Sequence, residues 1–488
     1  MSQNTSTPNG NRPAGLGNWI SAAGLVVIAG SIFAFLFLFL SDLFRGHSNP
    51  YVGILTYLIA PMFSTAGVTM VVFGLYLRRR QLLKSGAEFP LLAELNRFRS
   101  GKVLTGIIIG GTFFLLVSAI GSYHSYHFTE STTFCGQACH TVMEPEFVTY
   151  QNSHHARVAC VECHIGPGAE WYVKAKLSGL YQVYATAADV YPRPIPTPIK
   201  NLRPARDTCE QCHWPEKFSG NFVRNYNHYL SDDENTQYSV SLLLKVGGGT
   251  PDSGPVPGIH WHVANLVEYV PADETKMEIP WVRYTNPDGK VVEYRAEGFE
   301  DEIDPAQIRR MDCMDCHNRP AHVYQKPNQA LDLAMFGGDI DNTLPGVKFT
   351  AGELLVGEYS TVDEATTAIE AGLRDAYPDA DLDKTIAAVQ GIYKRNFFPL
   401  MNADWSSYPE HIGHKDWPGC VRCHDDNHTS TDGEHVITFQ NCNMCHLILA
   451  QGTADDLEKP SMSGQAFQHP GEDIDPEFKC HDCHTGGP

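Results

Sequence analysis

Fourteen cysteines fall into seven pairs, and a histidine directly follows each pair. Six have the spacing C-x-x-C-H: Cys160-Cys163-His164, Cys209-Cys212-His213, Cys313-Cys316-His317, Cys420-Cys423-His424, Cys442-Cys445-His446 and Cys480-Cys483-His484. The first pair in the chain, Cys135 and Cys139 before His140, holds one residue more. Two thiols and an adjacent imidazole are the attachment chemistry of a c-type haem, the thiols bonding the macrocycle edge and the imidazole reaching the iron. A zinc site would share four ligands between two pairs and need no histidine after each. A disulfide framework would not repeat one spacing so strictly. No cysteine is left over, so the sequence predicts seven c-type haems.

A low-spin haem iron takes a second axial ligand, and histidine is in surplus. Fifteen histidines lie outside the motifs. The expected distal set is His155, His228, His260 or His262, His322, His411 or His414, His428, and His469 or His435. No motif has Lys in place of its histidine. The surplus of ligands favours electron transfer over substrate chemistry at an open iron.

These sites need elements to carry them. Residues 1–17 are polar and read as a disordered lead-in. Trp19–Leu40, Tyr51–Leu77 and Val103–Gly121 are free of charge and suit the crossing of a bilayer. They predict a three-helix anchor over 18–127. The loop between the second and third spans is rich in Lys and Arg, so it is expected in the cytoplasm. That puts everything after the third span in the periplasm, where bacterial c-type haems are attached. Within that loop, residues 89–102 read as an interfacial helix or a plain connector. Beyond the anchor the sequence divides into 128–221 with three haem motifs, 222–326 with short alternating strands and the fourth, a helical spacer over 327–405, and 406–488 with the last three. The fold class is mainly α and irregular, with a small antiparallel β segment and a helical insertion.

Charge is divided just as unevenly. Residues 1–127 hold nine Lys/Arg against three acids, leaving 27 Lys/Arg against 53 acids for the remainder. An acidic outer domain excludes nucleic acid as a partner, since phosphate binding needs a basic surface. It favours a basic redox protein instead.

The stretch from Phe134 to Tyr184 resembles the NapC/NirT/NrfH family of membrane-anchored quinol dehydrogenases. The first haem motif is followed by Met143, then by SHHA with His155 before Cys160, then by the second motif and Lys176 in a run ending QVY. The whole architecture is similar to the seven-haem inner-membrane branch found in metal-respiring bacteria. The resemblance implies that Met143 ligates the first haem, that Lys176 lines a quinol pocket beside it, and that the family's acidic residue falls at Gln182. Gln182 cannot take a proton as a carboxylate can, so Glu144, Glu146, Glu170 and Asp189 are the alternatives. The implied role is menaquinol oxidation at the inner membrane lipid boundary, with electrons passed to a periplasmic partner, another cytochrome c. A conduit subunit without its own quinol site, and a terminal reductase of a nitrogen or sulfur oxyanion, are the competing readings.

Overall fold

The computed structural model describes residues 17–45, 60–84, 86, 101–138, 140–199, 202–250, 254–439, 442–453, 457, 460–471, 474–475 and 478–488. They form two compact units. One comprises Met1–Glu130 with Pro167–Val173, the other Ser131–Gly166 with Lys174–Pro488.

The first unit is built on three helices, α1 (Gly17–Arg45), α2 (Ala60–Lys84) and α3 (Gly101–Thr129). Each contains a segment long and apolar enough to span a membrane. Large apolar side chains such as Phe37, Val72 and Phe113 stand exposed on these helices, the reverse of a water-soluble bundle. With no hydrophobic effect to join helices in lipid, close backbone approach must do so. Gly24 provides it: a Cβ there would lie 2.7 Å from the Gly67 carbonyl oxygen. Ser21 is fully buried against Gly74, and its hydroxyl donates to the Val71 carbonyl at 3.2 Å. The expected lead-in up to residue 16, the start of the second span at 51–59 and the loop reading at 89–100 lie outside the described residues.

The second unit starts with α4 (His140–Gln151), the short α5 (Cys160–His164) and α6 (Ala169–Ala187), whose first turns belong to the first unit. Two larger antiparallel sheets follow, besides a two-stranded ribbon of Gly248–Thr250 and Gly254–Val256. A hairpin of β1 (Asn221–Tyr229) and β2 (Gln237–Lys245) heads the first. The second is centred on β3 (Leu266–Val270), β4 (Trp281–Thr285) and β5 (Val291–Arg295), with β6 (Arg309–Arg310) at one edge. Alternation in each strand buries Val267 and Tyr269 of β3 with Val282 of β4 in one small core.

The helical insertion is α7 (Pro327–Phe336), α8 (Val347–Leu355), α9 (Val362–Ala376) and α10 (Asp383–Asn396). In α9 the apolar residues recur every fourth position, Ala365, Ile369 and Leu373, and all three are fully buried. Thr361 caps its start by accepting from the Glu364 amide at 3.1 Å. The insertion is tied to β1 by a buried charge cluster: Asp332 accepts from Lys348 at 2.6 Å and from the Tyr229 amide at 2.9 Å.

The last segment does not stay apart. β7 (His428–Ser430) and β8 (Val436–Ile437) extend the second sheet, and β9 (His446–Thr453) pairs with β2. The strand order is β1-β2-β9 in the first of these sheets and β8-β7-β5-β4-β3-β6 in the second. The chain is mainly helical with small antiparallel sheets, as the sequence predicts. The β structure draws on more of the chain than 222–326, because a strand leads directly out of the sixth motif.

Candidate haem sites

The C-x-x-C-H spacing has a local structural cause. In four motifs the histidine amide donates to the carbonyl of the first cysteine, closing one helical turn: His213 to Cys209 at 2.8 Å, His317 to Cys313 at 2.8 Å, His424 to Cys420 at 3.1 Å and His484 to Cys480 at 2.9 Å. Such a turn carries residues i, i+3 and i+4 on one side, so both thiols and the imidazole face together. Capping helps hold the turn at the fourth motif, where Asp312 accepts from the Met314 amide while Asp315 accepts from the Asp312 amide. At the fifth, Gly419 has φ +47°, and a Cβ there would run into the Gly413 carbonyl. The first motif absorbs its extra residue as a π-helical turn, Phe134–Ala138, which is one residue wider. Cys139 lies outside the described residues, as do the side chains of His140 and Cys442.

The motif histidines are brought face to face with distant ones. Ring centroids are 6.2 Å apart for His164 and His322, 6.2 Å for His213 and His155, and 6.4 Å for His317 and His260. They are 5.9 Å apart for His424 and His262, 6.2 Å for His446 and His414, and 6.0 Å for His484 and His469. Two metal–imidazole bonds of about 2.0 Å, plus about 1.1 Å from each nitrogen to its ring centre, give roughly 6 Å. Six pairs therefore stand at the separation an iron between two imidazoles requires. Among the described residues, no three His, Cys, Asp or Glu side chains converge as a bare metal ion would need. Pairs suit a metal that already holds four equatorial nitrogens, so the residues present fit haem.

Neutral imidazole is the ligating form. Burial, the largest influence in each case, pulls His164, His262, His317, His322, His414, His424, His446 and His484 below the usual histidine range. Successive motifs also abut. The Cys160 thiol contacts Cys135, Cys209 contacts Cys313, and Cys163 and Cys316 feel the charges of Cys212 and Cys420.

Of the expected distal histidines, His155, His260, His322 and His469 face motif rings. So do His262 and His414, the alternatives to His260 and His411. His262 is an addition, since both histidines of that pair are used, on different motifs. The other three expected ligands show no ring contact with a motif histidine among the described residues. His228 gives Nδ1 to the Asp332 carboxylate at 2.9 Å. His411 is buried with its two ring nitrogens 3.2 Å from the Asp315 and Thr275 carbonyls. His428 lies between the Asp425 carboxylate at 2.8 Å and the Ile279 carbonyl at 2.6 Å. Hydrogen bonds at both ring nitrogens hold His411 and His428, whereas His228 uses only Nδ1 in its bond to Asp332, and His435 is exposed.

Met143 lies one helical turn beyond His140 on α4 and is half-buried. Lys176, on α6, is also half-buried, whereas Gln182 is exposed. Six residues along a helix is a rotation of about 120° from the starting face, so these two side chains do not share one. Leu177, Leu180, Tyr181 and Tyr184 form an exposed apolar stripe on the same helix, with Lys176 on its flank. Of the acids, Asp189 pairs with Arg193 at 2.5 Å, Glu146 pairs with Arg319 at 3.1 Å, and Glu144 is exposed. The side chain of Glu170 lies outside the described residues.

The profile of the NapC/NirT cytochrome c family, N-terminal region, matches residues 98–194. Over 491 aligned residues the chain is 42% identical to the cytochrome c-type protein ImcH of Geobacter sulfurreducens, covering 96% of this chain and 95% of that protein. The chain belongs to the NapC/NirT cytochrome c family. Within that family it is also 30% identical to the cytochrome c-type protein NrfH of Wolinella succinogenes, over 19% of this chain and 54% of that one. The cytochrome c nitrite reductase subunit NrfH of Nitratidesulfovibrio vulgaris is 28% identical over 24% of this chain and 74% of its own. No solved structure matches. This NapC/NirT protein is thus a membrane-anchored multihaem cytochrome c, and the long alignment extends the kinship well past the conserved N-terminal region.

Proposed function

We propose that the chain is a menaquinol dehydrogenase of the inner membrane, carrying seven c-type haems and passing electrons to a periplasmic cytochrome. Bound haem supplies one-electron ferrous/ferric chemistry. The observation that carries the reading is the pairing of six motif histidines with six distal ones. An iron held by two imidazoles has no position left for a substrate, which favours transfer over reduction of an oxyanion at the metal.

The chain's own residues supply the rest. Met143 is the proposed distal ligand at the first motif, where a thioether raises the potential. The stripe Leu177, Leu180, Tyr181 and Tyr184 offers an apolar wall to an isoprenoid quinol, and Lys176 donates to a quinol oxygen. Quinol oxidation also releases protons, which Gln182 cannot accept. Glu144 is the exposed carboxylate nearest Met143 in the chain, and it takes that role here. The strongly acidic outer unit favours a basic partner protein at the delivery end.

The test is anaerobic addition of a reduced naphthoquinol to the oxidised protein in detergent, following the haem α-band beside a Lys176→Met variant. Rapid reduction of the wild type, at least tenfold slower in the variant, is the expected result. Slow reduction of both, with dithionite still reducing every haem, would leave a conduit that depends on another donor.

A further inference from the structure

The six distal histidines differ in what backs them. His155, His260 and His262 each direct Nδ1 to a backbone carbonyl, those of Pro320, Val246 and Ile259, at 3.0–3.1 Å. His414 and His469 have a buried Nδ1 with no acceptor from another described residue. His322 directs Nδ1 to the Glu146 carbonyl at 2.9 Å, and the Glu146 carboxylate stands 3.0 Å from the same nitrogen as a charge contact. Among these six it alone has a carboxylate behind it in the described hydrogen bonds and ion pairs.

Glu146 is held for that contact. It lies on α4, one turn beyond Met143, and its carboxylate is clamped by Arg319 at 3.1 Å to both oxygens. Arg319 in turn sits over the Tyr408 ring at 4.0 Å and donates to the His322 carbonyl at 2.8 Å. The carboxylate is mostly shielded from water, so solvent screens its charge weakly, and Arg319 offsets part of it. A carbonyl accepting the outer N–H of a ligating imidazole fixes its tautomer, and a carboxylate charge beside that nitrogen makes the ring more electron-rich. A more electron-rich axial ligand stabilises ferric over ferrous iron and lowers the potential.

We propose that Glu146 is a positioning residue that acts through His322 to hold the second-motif haem at the low-potential end of the bis-histidine set. A carbonyl accepts Nδ1 at the second, third, fourth and fifth motifs, and the carboxylate charge is added at the second. The proposal rests on the reading of His164 and His322 as one axial pair, but not on the identity of the donor.

The experiment is a spectroelectrochemical titration of the full-length, haem-loaded protein, with low-temperature EPR to resolve single haems. His322→Met should remove one bis-histidine signal and so identify the second-motif haem. Glu146→Gln should then raise the midpoint of that haem and leave the other midpoints in place. Glu146→Asp, which keeps the charge, should restore most of the shift and covers the case in which the glutamine variant loads haem poorly. If His322→Met changes no bis-histidine signal, the axial pairing fails and the proposal with it. If His322→Met behaves as expected but neither Glu146 variant moves that midpoint, or both move all midpoints alike, Glu146 has no selective role.

Discussion

The helical insertion and the haem-bearing segments of the same unit reach order by opposite means. Between Leu331 and Phe397 the chain supplies its own core, with Val347, Ala351, Leu355, Ala365, Ile369, Leu373 and Val389 fully buried. Among the described residues from Ser131 to Gly220 the buried apolar ones are only Val142, Pro145, Tyr150, Ala185 and Ala205, spread over several turns and loops. After Tyr408 they are Val421, Ile448 and Ala450. A polypeptide with so little apolar burial does not offset the entropy of its own ordering. Its motifs instead gather histidine pairs around the place of a large apolar cofactor. The insertion is folded by side chains, whereas 131–220 and the segment after Tyr408 would be ordered around prosthetic groups.

Withholding haem tests this contrast most severely. Chain produced without haem attachment should lose cooperative structure at 131–220 and 406–488 while α7–α10 stay helical. Limited proteolysis should leave a protected fragment covering α7 to α10, and uniform protection would break the comparison. A smaller effect follows from Ile369→Ala, which empties a fully buried site in the insertion. It should cost about 2–5 kcal/mol in denaturant unfolding of that region and leave haem spectra and midpoints unchanged. A shift in the midpoints would mean that the two regions are not energetically separate.

Acid gives the third test. Burial, then the neighbouring Arg422, pulls His411 down to about 4, against the opposing pull of its two carbonyl contacts. Its folded value lies below the unfolded one of about 6.5, so the unfolded state binds more protons between those limits. Its contribution is complete above pH 6.5 and is lost as pH falls towards 4, amounting to roughly 3 kcal/mol at most. Denaturation midpoints measured across that window should fall with pH, and His411→Asn should flatten part of the slope.

The same contrast explains what could be read in advance. The attachment motifs are local, one helical turn each, and so were legible as spacing. The insertion was legible for the same reason, since Ala365, Ile369 and Leu373 repeat at the helical period. The distal histidines depend on long-range placement, where spacing says little. His260 and His262 are two residues apart yet face His317 and His424, and no local rule separates them. His411, three residues before His414, was an equal candidate until its two ring nitrogens were found against backbone carbonyls. The strand β9 was missed because its partner β2 lies far upstream and its first residue is a motif histidine. Glu146 was visible only as a possible proton acceptor, because nothing near it in sequence announces Arg319 or His322.

The pairing of His164 with His322 also constrains how the protein is made. A chain that crosses the membrane from its N-terminus presents the second motif early, while the fourth motif and the segment beyond it are still to come. His155, which faces the third motif, is already outside by then and must wait for a shorter stretch. Each early ring therefore stays unmatched until a later part of the chain has been exported. With His322 and His155 as the distal ligands, the second and third sites would be completed in the reverse of their order of appearance. A truncation anywhere before His322 would leave the second site half-built, however sound the residues that precede it.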